Sequence, residues 1–339
     1  MPTFCRHNRL LQNCPICTRE QHVELRPVVT PGGQSPSQAR SSSGAPRSRA
    51  AGGAPPARAG SSRPGNRSSH GVVVRRLERG AEDGYRSALV PGLKSGADAE
   101  RLAEEVAFAT TRLARLSTDP PGLYAEVADP AGEIEERTWL AFLIAYLGPL
   151  DGDRPFAGIE QARTDWRSGR PPHLDGVALG PRSAHEAARG TRTIDAYRAW
   201  AARSGSQAAA FAGETGWTSE RRFARIFERL ALPGLDRGAR FDLLVTLGRL
   251  GVYELEAGTL ALGANDTVTV AAKRLLGIGD SMLLERRAVD LAEACQVPLE
   301  ALDAGLYNWG RGARARLGVP AGVEADESTL AAVQRALGL

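Results

Sequence analysis

The chain has few of the residues that would mark a secreted or membrane protein. It has four cysteines in 339 residues, too few for a disulfide scaffold and consistent with a reducing, cytoplasmic compartment. Its longest apolar run, Trp139 to Leu147, is well short of the roughly 20 residues needed to cross a bilayer. No basic-then-apolar leader opens it, so neither secretion nor a membrane partner is expected. Lysine is nearly absent: Lys94 and Lys273 are the two, so 41 of the 43 basic residues are arginines. Such a skew follows a GC-rich coding composition and is weak as a sign of nucleic-acid binding. All five histidines fall at or before residue 185, so a Ser–His–Asp arrangement further along would need His173 or His185. Gly277-Ile278-Gly279 lacks a third glycine and follows a helical stretch, which excludes a dinucleotide loop. Cys295 stands alone beyond residue 20, which excludes a four-cysteine cluster there and suits a small buried side chain.

Three regions remain. Residues 1–20 hold Cys5, His7, Cys14 and Cys17 in the pattern C-x-H-x6-C-x2-C. Two thiolates from a Cys-Pro-Ile-Cys turn, with Cys5 and His7 beside them, can complete a tetrahedron. A closed set of four such ligands suits structural zinc and holds together a segment too short to fold alone. Residues 21–70 form a linker, Pro/Gly/Ser/Arg-rich from residue 27, and its composition predicts disorder. Ten arginines against Glu20 and Glu24 give residues 1–70 a charge of +8, so residues 71–339 carry 4 − 8 = −4. The linker reads equally as a basic tether or as a solvated spacer.

Residues 71–339 read as an all-α domain, with Val72–Val74 as the sole strand signal. Leu102, Val106, Ala109, Leu113 and Leu116 form one apolar stripe over 97–117, opened by Ser95 and Asp98 as a cap. Residues 136–147 are apolar on every side, as a buried central helix would be. Thr193 is a candidate cap for a helix carrying Ile194, Tyr197 and Trp200. Residues 150–190, rich in Gly, Pro and Arg, read as a long surface excursion.

The stretch 219–279 is the most informative. A helix with Phe223, Ile226, Phe227 and Leu230 runs into Leu232-Pro233-Gly234-Leu235-Asp236-Arg237-Gly238, and a second helix follows. Pro233 and Gly234 stop the first helix, and Gly238 suggests a backbone conformation that other residues avoid. A helical hairpin of this kind presents free N–H groups that bind a phosphate without lysine. Further on, Asn265-Asp266-Thr267 precedes the helical run 268–276, and Asn or Asp there reads first as an N-cap.

Leu232-Pro233-Gly234-Leu235-x-x-Gly238-Ala239, then a helix, then Asp266-Thr267 opening another, resembles the helix–hairpin–helix DNA glycosylase superfamily. The resemblance implies that Pro233, Gly234, Leu235, Arg237 and Gly238 grip DNA and that Asp266 is catalytic in cleaving an N-glycosidic bond. Asp236 replaces the second hairpin glycine, and Gly238 stands where strand-cutting members carry lysine. The hairpin-to-Asp spacing is also about ten residues long, with Tyr253 to Leu262 as the insertion and a candidate pocket wall. A lyase needs an amine nucleophile, so a monofunctional glycosylase, without a catalytic cofactor, is expected.

More narrowly, Phe4-Cys5-Arg6-His7-Asn8-Arg9, Cys14-Pro15-Ile16-Cys17 and the helix from Glu136 to Leu143 resemble the alpha-glutamyl/putrescinyl thymine pyrophosphorylase group, third clade. That resemblance implies DNA with hypermodified thymine as partner, a nucleoid-associated cytoplasmic protein, and a place in phage defence or base-excision repair. A base must leave the duplex to be processed, and Trp139, Tyr146 and Trp309 are the candidate aromatics to receive it. Arg237, Arg240, Arg311, Arg314 and Arg316 are candidate phosphate contacts. Two other readings stay open: a non-catalytic DNA-binding module, and an enzyme acting on free modified nucleotides.

Overall fold

In the computed structural model, residues 80–263 and 265–339 are described, all within the unit Val72–Leu339. The cysteine–histidine cluster, the linker and the Val72–Val74 strand lie outside the described residues. Among the described residues there are twelve helices and no strand. No described helix is long and apolar enough to cross a membrane.

The apolar stripe at 97–117 becomes α1, Gly96–Thr118, and all five stripe residues are buried. Ser95 sits at its N-cap, but its side chain makes no capping bond. After the short α2 (Leu123–Ala128), α3 (Ile134–Leu147) buries ten consecutive residues from Thr138 to Leu147, as its all-round apolar character requires. α3 packs on α8, while α1 packs on α11 and α12. At the α1–α11 crossing Gly305 lets the backbones approach; a Cβ there would lie 2.9 Å from Val106 Cα.

The 150–190 excursion is less loose than its composition suggests. It contains α4 (Ala157–Ala162), and Phe156, Ile159, Val177 and Arg182 are buried. The Glu136 carboxylate accepts the N–H groups of Trp166 and Arg167 at 2.8 and 3.2 Å, which pins it to α3. Next, α5 (Gly190–Arg203) begins three residues before Thr193. Thr193 is therefore no cap: it lies inside the helix, with its hydroxyl returned to the Arg189 carbonyl. α6 (Gln207–Ala212) and α7 (Ser219–Arg229) carry real caps in Ser206 and Thr218.

The remaining helices build the site: α8 (Arg237–Arg249), α9 (Thr267–Leu276), α10 (Ser281–Cys295) and α11 (Leu299–Arg311), followed by α12 (Glu327–Leu337). Four of these five are capped by aspartates, Asp236, Asp266, Asp280 and Asp326, each accepting a first-turn N–H.

Candidate functional site

The hairpin joins α7 to α8 through residues 230–236. Gly234 has φ +76°, and a Cβ there would meet Thr193 Oγ1 of α5 at 2.1 Å. Glycine is thus required twice, for backbone and for space. Gly238 is different from expectation: it lies in the first turn of α8 without positive φ. A Cβ on it would come no closer than 3.4 Å to Asp236 Oδ1 and 3.8 Å to Arg182 Nε. Leu235 is a buried anchor, as is Arg237.

Arg237 does not face a phosphate. Its guanidinium pairs with Asp303, donates from Nε to the Leu260 carbonyl at 3.0 Å, and lies over the Phe241 ring. The other arginines are partly exposed but turned to partners within the protein. Arg240 donates to the Asp236 and Phe227 carbonyls, and Arg311, Arg314 and Arg316 face Asp151, Glu105 and Glu324. The free N–H groups expected at the hairpin are also engaged in part, because Asp236 Oδ1 accepts the Ala239 N–H at 2.8 Å.

Asp266 caps α9 with both oxygens occupied. Oδ1 accepts the Val268 and Thr269 N–H groups at 3.0 and 3.2 Å, and Oδ2 accepts the Thr269 hydroxyl at 2.8 Å. The carboxylate is fixed and partly exposed. It lines two cavities. The first, about 200 Å3, brings Asp266 and Thr267 together with Asp236 and Gly238 of the hairpin, Pro181, Arg182 and Ser183 of the loop before α5, and Tyr307 of α11. The second, about 360 Å3, is lined by Asn265, Asp266, Thr267, Val270, Arg274 and Trp309 among others. Hairpin and aspartate, 28 residues apart in sequence at Gly238 and Asp266, therefore share one wall.

Behind the first cavity lies a buried charge cluster. Arg182 Nε meets Asp242 at 2.7 Å, its Nη2 bonds to Asp303, and Arg237 holds the other Asp303 oxygen. Burial would raise the Asp303 pKa, but Arg182 and Arg237 outweigh it and hold this carboxyl below its ordinary value. For Asp242 burial wins over Arg182, and its pKa rises. Arg182 also lies over the Tyr307 ring, 4.8 Å from its centroid, while the Tyr307 hydroxyl donates to the Pro181 carbonyl. Burial pushes the Tyr307 phenol up.

Of the three candidate aromatics, Trp309 alone touches a cavity with Asp266, and it is itself buried, its indole N–H donating to the Asp98 carbonyl at 3.0 Å. Trp139 and Tyr146 line neither cavity. They belong to an aromatic layer in which Trp139, Phe142, Tyr146 and Tyr197 stack along α3 and α5. Trp139 donates to the Thr164 carbonyl at 2.7 Å. The 253–262 insertion is also no wall: Leu255, Ala257, Leu260 and Leu262 are buried, and the N–H groups of Leu260 and Leu262 are taken by Glu285. Lys94, which donates to the Pro91 carbonyl, and Lys273 line neither cavity.

Sequence reading missed Arg182, Ser183, Asp303 and Tyr307. Asp303 carried a signal, an acid amid Leu302, Ala304, Gly305 and Leu306 on an otherwise apolar helix face, with Tyr307 one turn on. Among the described residues no group of His, Cys, Asp and Glu could hold a metal ion.

Residues 181–315 match the family model for alpha-glutamyl/putrescinyl thymine pyrophosphorylase clade 3. No curated protein and no solved structure matches the chain. Every residue lining the two cavities falls within the matched stretch, so the part of the chain that is similar to this family is the part that builds the site.

Proposed function

We propose that residues 72–339 form an enzyme acting on modified thymine, with Asp266 as its catalytic carboxylate and N-glycosidic cleavage as its reaction. The observation that carries this reading is the position of Asp266, fixed by three hydrogen bonds on the rim common to both cavities. The family whose model matches residues 181–315 is named for thymine modification, which supports the substrate class. The resemblance of the hairpin and Asp266-Thr267 to helix–hairpin–helix glycosylases supports the reaction type.

In that reaction the bond between C1′ and the base nitrogen breaks with its electron pair leaving on the base. The sugar becomes cationic, and a fixed carboxylate beside it lowers the barrier. A water oxygen then bonds to C1′, one water proton passes to Asp266, and that proton ends on the departing base nitrogen, which restores the carboxylate. Each cavity sits near or below the lower end of the roughly 300–1,000 Å3 of a small-molecule site, so a nucleotide would use both, with Asp266 between base and sugar. Lys94 and Lys273 line neither cavity, so among the described residues no lysine amine is placed for strand cleavage.

A specific observation favours free modified nucleotides as an alternative substrate to modified DNA. Arg237, Arg240, Arg311, Arg314 and Arg316 are engaged within the protein, and Asp236 caps the hairpin helix. The same facts weigh against a purely DNA-binding role. The test is release of base from phage DNA bearing hypermodified pyrimidines, from plain DNA and from modified mononucleotides, with Asp266→Asn alongside. Release from modified substrates that is lost in the variant bears the proposal out; turnover that survives in Asp266→Asn refutes it. The donor set Cys5, His7, Cys14 and Cys17 is proposed to hold one structural zinc, with loss of bound zinc in Cys14→Ser as its check.

A further inference from the structure

We infer that Thr269 is a positioning residue: its hydroxyl sets the plane of the Asp266 carboxylate and leaves Oδ2 as the oxygen that meets the reacting sugar and water. The inference rests on the reading of Asp266 as the catalytic carboxylate. Three observations lead to it.

First, Asp266 is held by more than its helix needs. Asp236 and Asp280 cap α8 and α10 by accepting a single N–H each, from Ala239 and Leu283, and both bonds fall on Oδ1. Asp266 Oδ1 accepts two, from Val268 and Thr269, and the Thr269 hydroxyl then donates to Oδ2 at 2.8 Å. The cap of α9 is thus complete on Oδ1 alone. The torsion about the Cβ–Cγ bond of an aspartate is soft, so the plane can turn while one oxygen is held. A donor on the second oxygen stops it. Second, each carboxylate oxygen accepts about two hydrogen bonds. Oδ1 is full with two donors, whereas Oδ2 has one, so among the described residues the open acceptor position of Asp266 is on Oδ2. That position is the one able to take a proton from water or to face a cationic sugar. Thr269 decides where it points, because its hydroxyl fills the other position on the same oxygen.

Third, Thr269 is wholly buried and lines neither cavity, so whatever it does for a ligand it does through Asp266. Thr138 and Thr193, buried as deeply, return their hydroxyls to the carbonyls four residues back, of Ile134 and Arg189. Thr269 gives its hydroxyl to the carboxylate instead. The same Asp-x-x-Thr bond recurs between Asp326 and Thr329 at the start of α12, where neither residue lines a cavity with Asp266. The chain therefore carries its own control for what such a bond does for a helix alone.

The experiment uses the full-length protein and three variants. Thr269→Val keeps the branched shape and removes the hydroxyl, Thr269→Ser keeps the hydroxyl, and Thr329→Val removes the matching bond at α12. Base release from phage DNA bearing hypermodified pyrimidines is followed for each, and wild type and Thr269→Val are crystallised. Thr269→Val should lower kcat by about 10- to 100-fold, the scale of a misplaced reacting group, with KM unchanged because Thr269 touches no ligand. Thr269→Ser and Thr329→Val should keep the wild-type kcat. In crystals of Thr269→Val, α9 should stay capped through one Asp266 oxygen while the carboxylate plane turns from its wild-type orientation. An unmoved kcat in Thr269→Val, an equal loss in Thr269→Ser, or a carboxylate plane that does not turn overturns the inference, and the last of these is read without any turnover. Survival of turnover in Asp266→Asn overturns the catalytic reading of Asp266 instead, whichever way the plane falls.

Discussion

Two regions hold most of the residues that make this sequence look functional, and they behave in opposite ways. Along α3 and α5, Trp139, Phe142, Tyr146 and Tyr197 form a stacked layer, all buried. At the starts of α8 and α9, short polar caps stand at the surface and line a shared cavity. The aromatic layer is where a base-stacking pocket is first sought, and it is core. The caps have an adequate structural explanation in their N–H groups, and they are where the proposed reaction is placed. A capping carboxylate is held by backbone N–H groups and near water, so under the proposed function one side chain at a helix end would serve both the fold and the reaction.

That contrast breaks most easily from the aromatic side. Trp139→Ala should cost about 3–5 kcal/mol of stability, read as a lower denaturant midpoint. Substrate affinity of the folded fraction should stay the same, because Trp139 lines neither cavity. A variant of normal stability that loses affinity would make the layer a pocket after all.

The charge cluster gives a change of comparable size with a different signature. Asp303→Asn leaves Arg182 and Arg237 buried against a neutral side chain, and breaking such a pair costs about 3–5 kcal/mol. The wild-type Asp303 pKa is below its ordinary 3.8 when folded. Its contribution is therefore complete above 3.8 and is lost as pH falls through the folded value. Acid unfolding curves of the variant should lack that part of the decline. If wild type and variant lose stability in parallel below pH 4, Asp303 is not the group responsible.

On the polar side, Asp266→Asn should lower kcat by about 100- to 1,000-fold, roughly 2.7–4 kcal/mol on the barrier. Stability should change little, since Asn caps as well as Asp. Measured together with Trp139→Ala, it separates the regions: one variant loses stability and the other loses turnover.

The fold was largely legible because its signals are local. The stripe from Leu102 to Leu116, the all-apolar run at 136–147 and the Pro233-Gly234 stop each specify a helix or its end without reference to distant residues. The site was legible in one part. Asp266 and Gly238 carry sequence signatures, and they do line one cavity. Arg182 and Tyr307 do not, because what makes them site residues is a contact between a loop and a helix 125 positions apart (307 − 182). Arg237 was misread for a related reason: an arginine in a hairpin gives no local sign that Asp303, 66 positions on (303 − 237), will bury it.

His185 joins the two regions and carries the smallest of the expected effects. Its Nδ1 lies 3.0 Å from the Tyr146 hydroxyl in the aromatic layer, and its backbone N–H donates to Ser183 Oγ on the cavity wall. Burial lowers its pKa from the usual 6.5, partly opposed by Asp175. The folded ring thus resists a proton that the unfolded chain accepts, so the unfolded state binds more protons as pH drops below 6.5. Stability should decline over that interval and level off once the folded ring also takes its proton. In the neutral ring Nδ1 can accept from the Tyr146 hydroxyl; protonation turns it into a donor and reverses that bond. His185→Asn should flatten the decline that begins below pH 6.5 and leave the limb below pH 3.8 to Asp303. If turnover follows the same curve as stability, protonation acts through the fold; if turnover falls at a pH where stability is level, the Ser183 wall moves with His185, and the aromatic layer and the cavity are coupled through this one ring.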